Sequence, residues 1–176
     1  MKKYLFRKYD SSLSSFFARE KRRIVHAIGS AGKVEHVGST AVPGLGGKGI
    51  LDICVGVPKG KISSTKRKLE RGGYTYRQKA SVPGRIFFRC DCIFAKKKKR
   101  VHLHLVVINR KDWNEMIFFR DYLRTNPMAQ KKYIDIKRRA VKIACGDGAV
   151  YMEQKEAFIV SISKKSRNKK KPRKIG

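Results

Sequence analysis

A glycine-rich loop that runs into an apolar segment constrains the fold of this chain most. Residues 49–57, GILDICVGV, are mostly apolar and rich in β-branched side chains, and Pro58 follows them, which is typical of a buried central strand. The preceding residues, HVGSTAVPGLGGK, supply a Gly-Ser turn, a proline and further glycines. Glycine makes turns at low steric cost, so such a loop can bring backbone N–H groups close to a phosphate. The sequence therefore predicts a strand carrying one acid, Asp52, behind a loop suited to a phosphorylated ligand.

Hydrophobic periodicity and helix-breaking residues predict the elements around this strand. In chain order they are helix 11–28, strands 33–37 and 49–57, helix 61–71, strands 74–78, 85–94 and 101–108, and helices 112–124, 129–144 and 150–162. The serines before the first helix are expected to cap it, and Asp112 with Glu115 forms a capping-box pattern. The cationic stretch 96–100 is expected to form a turn. We interpret residues 1–163 as one α+β domain, a mixed sheet flanked by helices with a helical C-terminal flank.

The charge balance predicts polyanionic partners. The chain has 44 Lys and Arg against 13 Asp and Glu, a formal net charge of +31. A field of this sign attracts RNA, DNA, nucleotides or an anionic membrane face. Residues 164–176 are basic without apolar periodicity, and we expect them to form a disordered tail that contacts nucleic acid or aids solubility.

Other features of composition favour a cytoplasmic protein. The N-terminus does not resemble a signal peptide, and no run approaches the roughly 18 apolar residues that cross a bilayer, so we expect no membrane partner. The four cysteines are interpreted as reduced thiols. The spacing of Cys90 and Cys92 disfavours a zinc site built on cysteines.

The loop offers a set of phosphate ligands. Gly38 leaves room for a close approach, the hydroxyls of Ser39 and Thr40 can donate to phosphate oxygens, and Lys48 adds a cation. Asp52, on the strand behind the loop, is suited to bind Mg²⁺ or Mn²⁺. The alternative is a glycine-rich connection with an aspartate held in an ordinary ion pair.

Two histidines form the second candidate cluster. His102 and His104 are two residues apart on a predicted strand, so both project from one face of the sheet. Asp52 could converge with them if the two strands adjoin. Two imidazoles and a carboxylate suit Mn²⁺, Fe²⁺ or Zn²⁺ better than Mg²⁺, and imidazole can also act as a general acid or base. The alternative is a pair of polar residues on a solvated sheet face.

The whole pattern resembles a known family. The stretch VEHVGSTAVPGLGGKGILDICV is similar to the signature of the GrpB family, and GRIFFR, VHLHLVV, FRDYLRTNP, YIDIKRRAV and YMEQKEAFI resemble further family segments in the same order. The resemblance covers roughly residues 20–163. Gly49 stands where the family usually has proline.

The resemblance implies a nucleotidyltransferase-like fold of the polymerase-β type. In that superfamily a Gly-Ser turn precedes a strand with metal-binding carboxylates, and the metal ions hold a nucleoside triphosphate for attack on its α-phosphate. Position within the family segments marks Arg89 and Arg120 as phosphate ligands, with Lys137 and Lys155 on the same ground. The usual second carboxylate of the superfamily is replaced here by Cys54, which weakens the case for ordinary nucleotidyl transfer.

Two functional hypotheses follow. The first is a nucleotidyltransferase-like domain that binds a nucleotide or another phosphorylated small molecule with a divalent metal and transfers a nucleotidyl or phosphoryl group. Gly38, Ser39, Thr40, Lys48, Arg89 and Arg120 would bind phosphate, and Asp52, His102 and His104 would form the catalytic and metal-binding set. The alternative is a non-enzymatic RNA- or DNA-associated basic protein on a degenerate nucleotidyltransferase scaffold.

Overall fold

The structure, a computed structural model, describes residues 6–168, with the side chains of 31, 167 and 168 left out. Its elements are α1 Ser12–Ile28, β1 Lys33–Val37, β2 Leu51–Val57, α2 Ile62–Arg71, β3 Thr75–Tyr76, β4 Arg85–Phe94, β5 Lys97–Val107, α3 Lys111–Thr125, α4 Pro127–Ala144 and α5 Gly148–Asn168. This is the element order that the sequence predicts. None of the helices within residues 6–168 combines the length and the apolar character that crossing a bilayer requires.

The five strands form one mixed sheet in the order β1-β2-β5-β4-β3. Strands β2 and β5 pair in parallel, and every other neighbouring pair is antiparallel. The apolar strand β2 lies between β1 and β5, and six of its seven residues are buried. The predicted mixed sheet is confirmed, and it places the strand with Asp52 directly beside the strand with the two histidines.

Helices cover the two faces of the sheet unequally. Helices α1 and α2 pack on one face, where Phe16, Ile24 and Leu69 join the inward side chains of the sheet in the main core. On the other face α3 packs through Trp113, which approaches β2 so closely that a Cβ at Gly56 would lie 2.4 Å from the indole. Helices α3, α4 and α5 share a separate core around Leu123. They form the predicted helical flank, which leaves a hollow between this flank and the sheet.

The start of α1 differs from its sequence-based expectation. The backbone N–H of Ser12 and its hydroxyl donate hydrogen bonds of 3.0 and 2.6 Å to Asp10 Oδ1, whereas Ser11 makes no side-chain cap. An acceptor before the first turn satisfies a free N–H, and here Asp10 takes the role that the serines were expected to have.

Of the basic stretch 96–100, which was expected to form a turn, only Lys96 lies in the turn. The chain reverses at Ala95 and Lys96, both with positive φ, and Lys97 already pairs with Phe94 across the β4–β5 hairpin. Two residues at positive φ make the tight turn whose twist matches the flanking strands. The cationic side chains therefore lie on a strand.

The end of α5 also differs from expectation. The helix continues to Asn168, so the start of the expected tail at 164 is helical. Lys165 donates a 2.8 Å hydrogen bond to the hydroxyl of Tyr122 on α3, which ties this end to the helical flank. The rest of the expected tail, 169–176, lies outside the described residues.

Candidate functional site

The aspartate and the histidines face the same hollow. Asp52 on β2 is the register partner of His102 on β5, and Cys54 is the partner of His104 one step further along. Asp52 Oδ1 and His102 Nδ1 are 3.5 Å apart, and both side chains are about a quarter exposed. The parallel pairing of β2 and β5 thus brings Asp52 together with two histidines that are some 50 positions away in the sequence.

The Gly-Ser turn closes over the carboxylate. Gly38 has φ 68°, and a Cβ at this position would lie 2.6 Å from Asp52 Oδ2. Only glycine combines this backbone conformation with so close an approach. The turn Ser39–Ala41 follows, and a Cβ at Gly47 would lie 3.3 Å from both Ser39 Oγ and Lys137 Nζ. The glycines of this loop therefore bring the serine hydroxyl, a lysine and Asp52 within one small region.

Burial and charge set the protonation states of this cluster. Burial opposes ionisation of Asp52, but His102, His104 and Lys155 outweigh it, so the pKa of Asp52 lies below its ordinary value. Burial lowers the pKa of His104 to about 4. It raises the pKa of the Cys54 thiol to about 12. At neutral pH the strand pair thus presents a carboxylate, a neutral imidazole at His104 and a neutral thiol.

Three lysines, Lys48, Lys137 and Lys155, line the same hollow. Lys137 on α4 and Lys155 on α5 are only 1% and 8% exposed, and the Lys137 ammonium donates to the carbonyl of Gly46. The ammonium groups of Lys48 and Lys155 lie 3.7 and 4.3 Å from the ring centroid of Tyr151. Ammonium groups gathered in a partly buried cavity attract anions, so the arrangement is suited to bind a phosphate.

The pKa values of the lysines reflect that crowding. Burial is the largest cause, followed by repulsion from Lys155, and together they lower the pKa of Lys48 to about 8 and that of Lys137 to about 7. Burial also lowers the pKa of Lys155 itself. The charge of Asp52 opposes all three shifts. A bound phosphate would act in the same direction as Asp52 and favour the charged lysines.

The sequence contains a second signal for Lys137 and Lys155, besides the family segments in which they lie. Lys137 follows Tyr133 by four residues, and Lys155 follows Tyr151 by four, so each pair shares one face of its helix. In the structure the Lys137 ammonium lies 4.9 Å from the centroid of the Tyr133 ring. The repeated spacing of tyrosine and lysine on consecutive helices marks the side of α4 and α5 that faces the sheet.

The hollow is a cavity of about 540 Å³ with walls of different chemistry. Asp52, both histidines and the three lysines line it together with Gly38 and Ser39. Phe87 and Phe119 contribute to an apolar wall, and Asp112 and Glu115 add two further carboxylates. These two acids were expected to cap α3, but the helix begins at Lys111 with an extended Arg110 before it and has no side-chain cap. The volume lies within the usual range for small-molecule sites.

Three of the predicted phosphate ligands lie outside this cavity. Thr40 is buried, and its hydroxyl lies 3.0 Å from His36 Nε2. Arg120 donates to Glu35 Oε2 at 2.7 Å and to the carbonyl of His36 at 3.1 Å, so it holds the end of β1 in place.

Arg89 is the third of these residues. It pairs with Asp91 two residues along β4. Arg89 is the register partner of His102, so both side chains lie on the same face of the sheet. Arg89 is therefore near the cavity, but His102 lies between it and Asp52.

The residues present fit a metal ion that binds together with phosphate. Within residues 6–166, no three His, Cys, Asp or Glu side chains are placed as a preformed metal site. Asp52 and His102 supply two adjacent donor groups, and His104 Nδ1 is buried with no hydrogen-bond partner among the described residues. Mg²⁺ commonly takes one or two carboxylates and completes its shell with phosphate oxygens and water. The few donor groups around Asp52 therefore suit a metal ion that arrives with phosphate better than one held by protein ligands alone.

The fold is nucleotidyltransferase-like. The chain is similar to the Cid1 poly(U) polymerase solved with MgGTP, with a TM-score of 0.53 and 13% identity over 77% of this chain and 44% of that chain. At this level of identity the similarity concerns the fold alone. The predicted fold class is confirmed.

The chain belongs to the GrpB family, whose family model, described as GrpB protein, matches residues 5–165. It is 32% identical over 149 residues to the glutamate-rich protein GrpB of Alkalihalophilus pseudofirmus, covering 83% of this chain and 86% of that protein. The solved GrpB structure from Enterococcus faecalis is similar with a TM-score of 0.78 and 29% identity, covering 94% of this chain and 98% of that chain. The family resemblance seen in the sequence is confirmed.

Proposed function

We propose that this cavity binds a nucleotide or another phosphorylated small molecule with a divalent metal ion, and transfers a nucleotidyl or phosphoryl group from it. The observation that carries the proposal is the convergence of Lys48, Lys137 and Lys155 on the cavity that Asp52 and His102 also line. Phosphate groups would neutralise the ammonium groups, and Asp52 would bind the metal ion beside them.

Each wall has a role in this proposal. The three lysines and the Ser39 hydroxyl bind phosphate oxygens, and Gly38 leaves the space that the ligand needs beside Asp52. The apolar wall around Phe87 and Phe119 accommodates the non-phosphate part of the ligand. His102, adjacent to Asp52, is placed to accept a proton from an attacking hydroxyl. A divalent ion, when bound at Asp52, supplies charge neutralisation for the transferred phosphoryl group.

Cys54 distinguishes this site from the usual two-carboxylate arrangement. The thiol is fully buried and stays protonated, so it supplies no negative charge beside Asp52. Bridging carboxylates hold two metal ions in ordinary two-metal phosphoryl transfer. We therefore propose one metal ion, bound by the Asp52 carboxylate and completed by phosphate oxygens and water, while the adjacent His102 accepts the proton.

Calorimetric titration tests the proposal. Each of the four ribonucleoside triphosphates is titrated into the full-length protein with Mg²⁺, with Mn²⁺ and without metal. We expect metal-dependent binding in the wild type and a loss of at least about tenfold in affinity for Asp52→Ala, as expected when a metal contact is removed. Asp135→Ala is the matched control, because Asp135 is exposed on α4, and it should bind like the wild type.

Two results would contradict the proposal. One is the absence of metal-dependent binding of these nucleotides by the wild type. The other is binding that Asp52→Ala leaves unchanged, which would favour the alternative of a non-enzymatic protein that associates with nucleic acid through its net charge of +31.

A further inference from the structure

A second, polar groove lies at the β3 edge of the sheet, beside the end of β3 and the middle of β4. It has a volume of about 370 Å³ and lies over β3 and β4, where Thr75, Arg77, Arg89 and Asp91 contribute to its lining. Thr75 and Arg77 are exposed, and the Arg89 side chain is 37% exposed. No residue of this groove belongs to the lining of the cavity, so it is a separate surface.

The groove and the cavity are connected by one row of side chains across the sheet. Thr75 pairs with Arg89, Arg89 pairs with His102, and His102 pairs with Asp52. Paired residues on neighbouring strands project to the same face and are about 5 Å apart, so the row is roughly 14 Å long. A ligand that lies along the groove therefore points its end at His102 and Asp52.

The charge of this surface suits a polyanion. Beyond Arg89 on the same face, Arg100 and Lys98 pair with Asp91 and Ile93 near the tip of the β4–β5 hairpin. Asp91 accepts hydrogen bonds from both Arg89 and Arg100, at 3.0 and 2.6 Å for their Nε atoms. One carboxylate thus orders two guanidinium groups, and the surface keeps an excess of positive charge. Guanidinium groups held in this way are suited to phosphate oxygens.

We propose that this groove binds the sugar–phosphate backbone of single-stranded nucleic acid, whose terminal hydroxyl is the acceptor at the cavity. The inference rests on the proposed function, because it supplies the second substrate. The terminal hydroxyl oxygen forms a bond to the α-phosphorus of the nucleotide in the cavity. The bond from that phosphorus to the pyrophosphate oxygen breaks, pyrophosphate leaves, and the hydroxyl proton passes to His102.

Phe87 supports nucleic acid over other polyanions. It lies on β4 between the groove and the cavity, on the same face as Arg89, and its ring centroid is 5.0 Å from that of His102. An aromatic ring beside a cationic groove is the combination that binds single strands, since bases stack and phosphates pair with arginine. A polyanion without bases would use only the arginines.

The test is binding of a fluorescein-labelled hexanucleotide, measured by anisotropy over a range of salt concentrations without nucleotide or divalent ion. Arg77→Gln/Arg89→Gln removes two groove cations. Arg22→Gln/Arg67→Gln is the matched control, because these exposed arginines lie on α1 and α2 at the opposite face of the sheet. Each single-strand phosphate contact contributes about 0.7 to the salt slope, so the groove variant should flatten the slope by roughly 1.4 and lose about tenfold in affinity near physiological salt.

The controls separate the inference from the charge of the whole protein and from the proposed function. The inference is supported if only the groove variant weakens binding, and if ribo- or deoxyribohexanucleotide binds more tightly than hexaglutamate. Equal weakening by both double variants, no weakening by either, or equal binding of hexaglutamate overturns it. Because the assay contains no nucleotide or metal, its result is independent of the calorimetric titration. Melting curves of both variants verify that they remain folded.

Discussion

The buried lysine Lys137 allows a test that links stability to ligand binding. We expect Lys137→Met to stabilise the ligand-free protein and to weaken phosphate binding. The Lys137 side chain is only 1% exposed. Methionine has a similar length and an apolar stem like that of lysine, but it carries no ammonium group. Sites that concentrate like charge for a ligand commonly do so at a cost in stability.

The size of the effect follows from the lowered pKa of Lys137. A shift from 10.5 to about 7 corresponds to about 5 kcal/mol between the charged and neutral folded forms. The substitution removes the cost of this charge but also the hydrogen bond to the carbonyl of Gly46, which costs about 1–3 kcal/mol when a buried partner is left without a donor. We therefore expect a net gain of about 2–4 kcal/mol in the free energy of unfolding near neutral pH.

The pH dependence isolates the lysine from other effects of the substitution. The folded pKa of Lys137 is below the unfolded value, so between about 7 and 10.5 the unfolded chain binds more protons, and this lysine makes stability rise with pH. Between about pH 7 and about pH 9 it contributes a rise of about 2 kcal/mol. Lys137→Met should lack this contribution.

Urea denaturation at several pH values measures this pH dependence of the free energy of unfolding. Urea is chosen because it adds no ions that would screen charges. The exposed Lys132→Met on α4 is the matched control and should keep the wild-type pH dependence. Equal pH slopes in the wild type and Lys137→Met would refute the reasoning. So would a destabilised variant that binds nucleotide as tightly as the wild type.

Two further predictions concern the loop and the lysines. Gly38→Ala should destabilise the protein by about 1–3 kcal/mol and weaken metal-dependent nucleotide binding, because its Cβ would lie 2.6 Å from Asp52 Oδ2. Gly44 is also at positive φ but has open space around it, so Gly44→Ala is the control and should cost only about 1 kcal/mol. Thermal unfolding measures both losses of stability. Nucleotide affinity measured by calorimetry should fall about tenfold between about pH 7 and about pH 9, because Lys48 and Lys137 lose protons over that range. An affinity that stays constant or rises would contradict the role of the lysines.

The sequence was sufficient for the order of the elements and for the loop beside Asp52. Strand β2 is read from its apolar run, and α1 and α2 end at glycines that the sequence shows. The paired spacing of His102 and His104 predicted a shared face, which the sheet confirms. These features depend on local periodicity and turn chemistry, which neighbouring residues determine.

Other assignments needed contacts between distant residues. Arg120 looked like a phosphate ligand, but Glu35 and the carbonyl of His36 take its donors, and these partners are 84 and more residues away. Asp112 matched a capping pattern and instead faces the cavity. A side chain with several donors or acceptors has many potential partners, and only the packing of α3 against β1 selects among them.

By itself the sequence determined an α+β chain with a glycine-rich loop, one acid on a central strand and a large excess of positive charge. Only the tertiary structure decided that β2 and β5 are parallel neighbours, that α4 and α5 direct Lys137 and Lys155 toward Asp52, and that Arg89 lies in a separate groove. The physical reason is the distance along the chain over which each effect acts. Backbone propensity and side-chain periodicity act over a few residues, whereas the electrostatic environment of a site is the sum over groups that folding brings together from the whole chain.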